Sequence, residues 1–263
     1  MRNPAKAAQP LALFCALLFP LVMSSAAMSA DEGGFAYRES TDPEADVQQA
    51  LERARQGNKR LLVVMGAQWC HDSTGLAATF SEPEMAAILE QSYETVFVDV
   101  GYFKDLRGIT RRFNQPHYFA TPTVMIIDPE SERLLNASDM YIWGSADSLP
   151  LARYLEYFDR YAKHQDSDPW VAPAVRTARL DEFEQHNSER LMDAYEKLIP
   201  GMREENRAGR ASSGFYTRWR EVREFRMQLQ RDIQALREQA AANPEAPLSL
   251  PVYAPFSWES SVQ

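Results

Sequence analysis

The stretch MGAQWCHDSTG, residues Met65 to Gly75, decides how the rest of this 263-residue chain is interpreted. It overlaps the end of a continuous apolar run, KRLLVVMGA, which is typical of a buried central strand. Downstream, apolar residues at helical spacing predict a helix that begins close to Cys70 and has an inward face of Leu76, Ala77 and Phe80. The sequence therefore places a cysteine between a buried strand and a helix N-terminus.

A thiol at the start of a helix has a particular chemistry. Unpaired N–H groups and the positive end of the helix dipole stabilise thiolate over thiol, and such cysteines titrate at about 3.5–7.5 rather than about 8.5. A protonated His71 adds to this effect, Asp72 opposes it, and Trp69 can shield one side of the sulfur. We expect Cys70 to be a partly exposed nucleophile. The alternative is an inert free cysteine that packs as a small apolar residue.

The Trp69-Cys70 pair, the strand–helix order around it and a later Thr121-Pro122 together resemble the thioredoxin superfamily, over roughly residues 34 to 163. The resemblance implies an α/β fold, a thioredoxin-like sandwich built on a mixed sheet. It also implies that the peptide bond before Pro122 is cis and faces Cys70, and that Thr121 offers backbone groups to an extended substrate. Trp69, Thr121 and Pro122 are the expected substrate-binding residues. A cis bond is plausible here because only X-Pro bonds adopt one at low cost.

Two departures from the family pattern concern the second sulfur. Ser73 stands where thioredoxins have a resolving cysteine, and Val64 stands where they bury the acid that accepts its proton. A serine hydroxyl forms no S–S bond, so cycling between a dithiol and an internal disulfide is excluded. We expect Ser73 to donate a hydrogen bond to the Cys70 thiolate, with His71 or Asp72 as a proton shuttle. For those two residues, a solvated or capping role is the alternative.

A single sulfur still permits three reactions. It can form a mixed disulfide with a client protein or a small thiol, a sulfenic acid with peroxide, or a disulfide with Cys70 of a second copy in a homodimer. We predict the first of these. The alternative is a binding or scaffold module that has lost redox turnover and uses the groove at Pro122 or the C-terminal helices.

The sequence predicts neither a cofactor nor a metal ion. Cys70, His71 and Asp72 are adjacent, so at most two of them can ligate one ion without other help. His117 lies shortly before the Thr-Pro pair and could approach, but no spacing typical of a metal site supports it.

The first 30 residues predict a secretory signal peptide, in which two basic residues precede an apolar core and cleavage after Ala27 or Ala30 fits. An uncleaved membrane anchor is the alternative. Export would place the protein in the periplasm or outside the cell and would remove Cys15, leaving one cysteine. Loss of two positive charges would change the formal net charge from −9 to −11, which argues against nucleic acid or an anionic membrane as a partner.

Helices and strands alternate around the thiol. We expect FAYRES to be a short edge strand, and TDPEADVQQALERARQGN to be a helix that is capped by Thr41 or Asp42 and buries Val47, Ala50, Leu51 and Ala54. A further helix is predicted to restart with Ser81 as its cap. ETVFVDVG is predicted to be a second buried strand, DLRGITRRF a short helix, and ATPTVMIIDPE with ERLLN a strand and its hairpin partner. SADSLPLARYLEYFDRYAKH closes this part with an amphipathic helix.

Residues 164–243 are predicted to form a C-terminal α-helical extension, a hairpin that follows the linker DSDPWVAP, and residues 244–263 an irregular tail. The first helix spans Leu180 to Met202, and ENRAGRASSG is the predicted loop. The second helix carries a stripe that we expect to serve packing rather than ligand binding: Trp219, Val222, Phe225, Arg226, Leu229, Ile233 and Leu236. His164 and His186 are expected at the surface, and Asn136-Ala137-Ser138 is a frequent kind of chance match to a glycosylation acceptor.

Overall fold

The fold is centred on a four-stranded mixed sheet, as seen in a computed structural model that describes residues 35–163 and 178–259. The strands are β1 (Arg60–Gly66), β2 (Tyr93–Asp99), β3 (Thr123–Asp128) and β4 (Arg133–Leu134), in the spatial order β2-β1-β3-β4. β1 pairs in parallel with β2 and antiparallel with β3, and β3 and β4 form an antiparallel hairpin. The predicted α/β fold with a mixed sheet is confirmed. The predicted signal peptide and linker, and His164, lie outside the described residues.

Helices cover both faces of the sheet. Within the described ranges they are α1 (Pro43–Gly57), α2 (His71–Phe80), α3 (Pro83–Ser92), α4 (Arg107–Arg112), α5 (Leu151–Ala162), α6 (Ala178–Ala208) and α7 (Ser213–Ala242), with a 3₁₀ segment at Met140–Ser148. α1, α4, α6 and α7 contribute to the core on one face, and α2, α3 and α5 to the core on the other. Among the helices described, none is long and apolar enough to cross a membrane.

β1 is the central strand because both of its faces are apolar. Leu61, Val63 and Met65 belong to one core and Leu62 and Val64 to the other, and all five are fully buried. A continuous apolar run of this kind suits a strand that is covered by helices on both sides.

β2 differs from its prediction. It lies at the edge of the sheet and its residues are mostly half-buried, so the prediction of a second buried strand is wrong. An edge strand pairs along one side only, and composition alone does not distinguish it from a central strand.

The predicted α1 is confirmed in its bounds, its cap and its buried face. Asp42 accepts a hydrogen bond from the backbone N–H of Ala45 at 3.0 Å, which satisfies one of the free donors at the helix start. Gly57 is the last helical residue, and Asn58 follows it in the left-handed conformation. The buried residues are the four predicted ones: Val47, Ala50, Leu51 and Ala54.

Two local predictions are wrong. FAYRES forms no strand, because the rings of Phe35 and Tyr37 pack against Phe97 of β2, with ring centroids 5.7 and 5.0 Å apart, and the segment is held by side chains instead of a backbone ladder. Ser81 does not cap α3. It ends α2, and its hydroxyl donates back to the carbonyl of Ala77 at 3.1 Å.

The helical hairpin packs directly on the α/β part of the molecule. The ring of Tyr195 stacks on Phe103 with centroids 3.9 Å apart and planes at 7°, and the hydroxyl of Ser188 donates to the carbonyl of Pro116 at 3.0 Å. The connection between α6 and α7 is shorter than predicted, since only residues 209–212 lie outside the helices. Ser212 caps α7 by accepting from the N–H of Phe215.

A buried ion pair and the C-terminal segment complete this packing. Arg237 of α7 donates to both carboxylate oxygens of Glu184 in α6 at 2.7 Å, and also to the carbonyl of Asn114 at 3.1 Å. Residues 244–259 contain neither helix nor strand, but Leu248 and Phe256 are buried in the shared core. The described residues belong to one compact unit, so the boundary predicted at residue 163 marks a change in secondary structure and not in packing.

Asn136 is fully buried, which rules out the glycosylation match in the folded protein. Its side chain accepts from the N–H of Ile126 and donates to the carbonyl of Val124, both at 2.9 Å. The residue therefore joins β3 to the segment that follows β4.

Candidate functional site

Cys70 lies at the start of α2, as predicted. It is the N-cap residue, and its carbonyl accepts the hydrogen bond from Thr74 N at 3.0 Å that begins the helix. The side chain is more enclosed than expected. Cys70 is 9% exposed, so the prediction of a partly exposed thiol overstated its exposure.

The sulfur of Cys70 is held by Thr121. Its thiol donates to the carbonyl of Thr121 at 3.1 Å, and the hydroxyl of Thr121 donates to the sulfur at 3.3 Å. The Thr121–Pro122 peptide bond is cis, which confirms the isomer implied by the resemblance. If the thiol ionises, the hydroxyl remains a donor to the anionic sulfur, while the carbonyl loses its partner. Thr121 therefore contacts the sulfur through its side chain as well as its backbone.

Ser73 does not contact the sulfur in the way predicted. It is fully buried, and its hydroxyl accepts from the N–H of Ala67 at 3.4 Å. Among the described residues, no hydrogen bond joins Ser73 to Cys70. A Cβ at Gly66 would lie 2.6 Å from both the Ser73 hydroxyl and the ring of Tyr37, so glycine is needed there. The hydrogen bond to the Cys70 sulfur that was predicted from Ser73 comes instead from the hydroxyl of Thr121. A hydroxyl residue directly before the predicted cis proline is the sequence signal for that donor.

Val64 lies in the apolar core beneath the site. It pairs with Val124 across the sheet and packs in the same cluster as Leu76 of α2. The position where thioredoxins place a buried acid therefore carries no proton acceptor, in keeping with the absence of a second thiol.

His71 and Asp72 differ sharply in exposure. The side chain of His71 is 80% exposed, and its two ring nitrogens each lie 3.7 Å from a carboxylate oxygen, one of Asp72 and one of Asp147. The side chain of Asp72 is 15% exposed and accepts from the N–H of Asp147 at 3.1 Å, which ties α2 to the 3₁₀ segment. Asp72 thus has a structural contact of its own, and the proton-shuttle role stays a prediction for both residues.

Trp69 joins the thiol site to the helical hairpin. Its indole N–H donates to the carbonyl of Gly101 at 2.6 Å, and its ring meets Phe103 edge-on at 5.3 Å. On the other side, the same ring lies 6.2 Å from Trp219 of α7. The residue before the thiol is therefore fixed between the two parts of the molecule.

A cleft of about 860 Å³ opens between the thiol site and the hairpin. One wall holds Cys70, Thr121 and Trp69 together with His71 and Asp72. The other wall comes from the hairpin and includes Met202, Phe215, Trp219, Arg220, Arg223 and Arg226. The predicted packing stripe of α7 lies in the core, and two of its residues, Trp219 and Arg226, also line the cleft. An arginine within an apolar stripe is the sequence signal for this second position.

His117 is not brought to the thiol and does not line the cleft. It is fully buried, and burial lowers its pKa to about 3 by disfavouring the charged form. Nδ1 lies 3.0 Å from the carbonyl of Tyr118, and since a carbonyl only accepts, the proton is on Nδ1 and Nε2 is left without a partner. In the part of the chain that the structure describes, no three His, Cys, Asp or Glu side chains are grouped to hold a metal ion. His186 is exposed, as predicted.

A family model agrees with this geometry. Residues 42–129 match the model of a family described as thioredoxin-like, and they include both Cys70 and the cis Thr121–Pro122 bond. The fold of this domain is thioredoxin-like. A solved structure of a disulphide isomerase from Xylella fastidiosa Temecula1 is similar at 22% sequence identity and a TM-score of 0.44, with 48% of this chain and 95% of that chain covered. No curated protein matches the chain. The hairpin, and with it the second wall of the cleft, lies outside the family match.

Proposed function

We propose that the protein is an exported monothiol exchange protein whose Cys70 forms mixed disulfides with client proteins or small thiols. The observation that carries the proposal is the contact of the Cys70 sulfur with Thr121, beside the cis proline and at the edge of a cleft. The volume of the cleft, about 860 Å³, falls within the range of about 300–1,000 Å³ that is usual for small-molecule sites. A substrate can therefore reach a sulfur that is itself only slightly exposed.

The reaction is a thiol–disulfide exchange. The Cys70 thiolate attacks one sulfur of a substrate disulfide, the substrate S–S bond breaks, and the second substrate sulfur leaves as a thiolate. The product is a mixed disulfide on Cys70. Because Ser73 cannot attack that bond, release requires an external thiol, which takes over the substrate sulfur and returns Cys70 to the thiolate.

Restoring the missing thiol provides a sharp test. Reaction of the wild-type protein with the neutral disulfide 4,4′-dithiodipyridine should release one equivalent of thiopyridone more than the Cys70→Ser variant releases. The other half of the reagent should stay on Cys70 as a mixed disulfide. The Ser73→Cys variant should release a further equivalent, because the new thiol lies one helical turn from Cys70 and can displace the bound group. Failure of the folded wild-type protein to react, with normal reaction after denaturation, would remove the proposal.

A binding or scaffold module without redox turnover is the second candidate. It is favoured by the 9% exposure of Cys70 and by the hydrogen bond that its thiol donates to Thr121, both of which suit a resting thiol. Partner capture by wild-type protein and by Cys70→Ser separates the two. Equal binding by both variants supports the module, and loss of the covalent complex in Cys70→Ser supports exchange.

Export and partner class follow from the sequence predictions. The predicted signal peptide directs the chain to the periplasm or the extracellular space, and the acidic mature chain makes nucleic acid an unfavourable partner. A disulfide-linked homodimer is less favoured, since it needs the two Cα atoms within about 6.8 Å while each sulfur lines a cleft between two walls. Protein clients and small thiols that enter the cleft are the proposed partners.

A further inference from the structure

Arg226 is a buried cation without a counterion. It is 7% exposed, its Nε has no hydrogen-bond partner, and it makes no ion pair with any carboxylate of the described residues. Its guanidinium lies 5.9 Å above the ring of Trp219 and close enough to Tyr195 to oppose the rise in pKa that burial causes in that tyrosine. Taking a charge out of water without a partner is costly, and one partner that offsets the cost is a bound anion.

Arg226 also lines the cleft that holds Cys70. Two more arginines of the same helix, Arg220 and Arg223, line it too, at intervals of three residues that make each a neighbour of the next on the helix surface. Both are exposed, whereas Arg226 is buried. The helix therefore presents to the cleft a series of positive charges that ends in an enclosed one.

Two carboxylates line the cleft beside the three arginines, so they offset only part of this positive charge. They belong to Asp72 and Glu205, but Asp72 is engaged by the backbone N–H of Asp147, and Glu205 accepts from the hydroxyl of Tyr216 at 3.1 Å. Neither forms an ion pair with the three arginines. A chain with a net charge of −9 thus keeps an excess of positive charge in the cleft beside its thiol.

We propose that Arg226, with Arg220 and Arg223 along the same wall, binds a carboxylate of the thiol or disulfide that reacts with Cys70. The substrate class is a small thiol, or its disulfide, that carries a carboxylate. This inference rests on the proposed function for its reaction step. A guanidinium suits the task because it can bind a carboxylate through two parallel N–H bonds, and the rings of Trp69, Phe215 and Trp219 line the same cleft for the apolar part of the substrate.

The test compares a disulfide that carries carboxylates with one that is neutral. The probes are 5,5′-dithiobis(2-nitrobenzoate), which carries two carboxylates, and the neutral 4,4′-dithiodipyridine. Either probe reacts by the same exchange, so a substitution that changes the ratio of the 5,5′-dithiobis(2-nitrobenzoate) rate to the 4,4′-dithiodipyridine rate acts on recognition of the carboxylate. Arg226→Met should lower this ratio about tenfold or more, the loss expected when a charge-assisted hydrogen bond is removed.

Two variants act as controls for folding and for general charge. Arg218→Met makes the same change on the same helix at a residue outside the cleft lining, and it should leave the ratio unchanged. Arg226→Lys keeps the charge but not the planar fork, and it should restore part of the ratio. Arg226→Met should also unfold at a higher urea concentration than wild type, since it removes an unpaired buried charge. A structural role for Arg226 would make that variant less stable and slow both probes equally.

A binding arm is independent of the sulfur chemistry. Titration of mercaptosuccinate, a thiol with two carboxylates, into the Cys70→Ser variant should give binding that Cys70→Ser/Arg226→Met lacks and that cysteamine, a cationic thiol, does not show. If this binding holds while neither disulfide reacts with wild-type protein, the proposed function fails and the anion site stands. If Arg226→Met binds mercaptosuccinate as well as its parent, or leaves the rate ratio unchanged, the anion site is overturned.

Discussion

The ion pair between Glu184 and Arg237 is expected to hold the helical hairpin on the thioredoxin-like domain. The two side chains are 5% and 8% exposed, they form two parallel hydrogen bonds of 2.7 Å, and Arg237 also donates to the carbonyl of Asn114 in the domain. Glu184→Gln would leave the Arg237 guanidinium buried without a counterion. Arg237→Met would likewise leave the Glu184 carboxylate buried without a counterion. Removing one partner of a buried pair costs about 3–5 kcal/mol. Domains are typically stable by about 5–15 kcal/mol, so either change removes a large share of the total.

The double variant Glu184→Leu/Arg237→Met distinguishes the cost of an unpaired buried charge from the cost of losing the ion pair itself. It replaces both charges with apolar side chains and leaves no unpaired charge, so it should be less destabilised than either single variant. The measurement is urea unfolding followed by tryptophan fluorescence, with the midpoint and the slope fitted separately. Lys163→Met serves as the surface control: it removes an exposed i, i+4 pair with Asp159, and its expected cost is about 0–1 kcal/mol. If the single variants at 184 and 237 unfold like this control, the ion pair does not hold the hairpin on the thioredoxin-like domain.

Three further predictions concern the site and its support. Between about pH 7 and pH 5 the unfolded state takes up a proton at His117, whereas the folded state does not, because the pKa of His117 is about 3 there. The free energy of unfolding should therefore fall by about 2 kcal/mol over this range. His117→Asn, which keeps a donor for the Tyr118 carbonyl, should abolish this part of the pH dependence in urea unfolding. Gly66→Ala should destabilise the protein by about 1–3 kcal/mol, because its methyl group would meet other atoms at 2.6 Å. Gly57→Ala, whose methyl group would lie 3.6 Å from the Lys59 side chain, should be neutral or slightly stabilising in the same thermal unfolding experiment. Thr121→Val removes the hydroxyl donor to the Cys70 sulfur and should slow stopped-flow reaction with 4,4′-dithiodipyridine about tenfold; an unchanged rate would show that this hydrogen bond does not assist the thiolate.

Much of the fold was predictable because its signals are local. The run at β1 is apolar on both faces, and the cap and buried face of α1 follow from residues within one helix. FAYRES and β2 were misjudged for a different reason. Whether a short aromatic segment joins a ladder, or a strand lies at the edge, depends on which partners fold beside it, and local composition does not contain that information.

The site was predictable in its backbone and less so in its side chains. The helix start at Cys70 and the cis bond at Pro122 follow from a motif with fixed backbone geometry. The direction of the Ser73 hydroxyl depends on the close approach of Gly66, and the contact with Thr121 depends on the register between β1 and β3. An arginine within the apolar stripe of α7 is visible in the sequence, but its place in the cleft depends on the long-range packing of the hairpin over the thiol site.

Monothiol exchange at Cys70 is tested most directly by the intact mass of the folded protein after exposure to 4,4′-dithiodipyridine without denaturant, with the modified residue located by peptide mapping. Cys70 should carry one pyridyl group that persists until an external thiol is added and that is absent from the Cys70→Ser variant. An unmodified Cys70 in the folded protein, labelled only after urea is added, would contradict monothiol exchange.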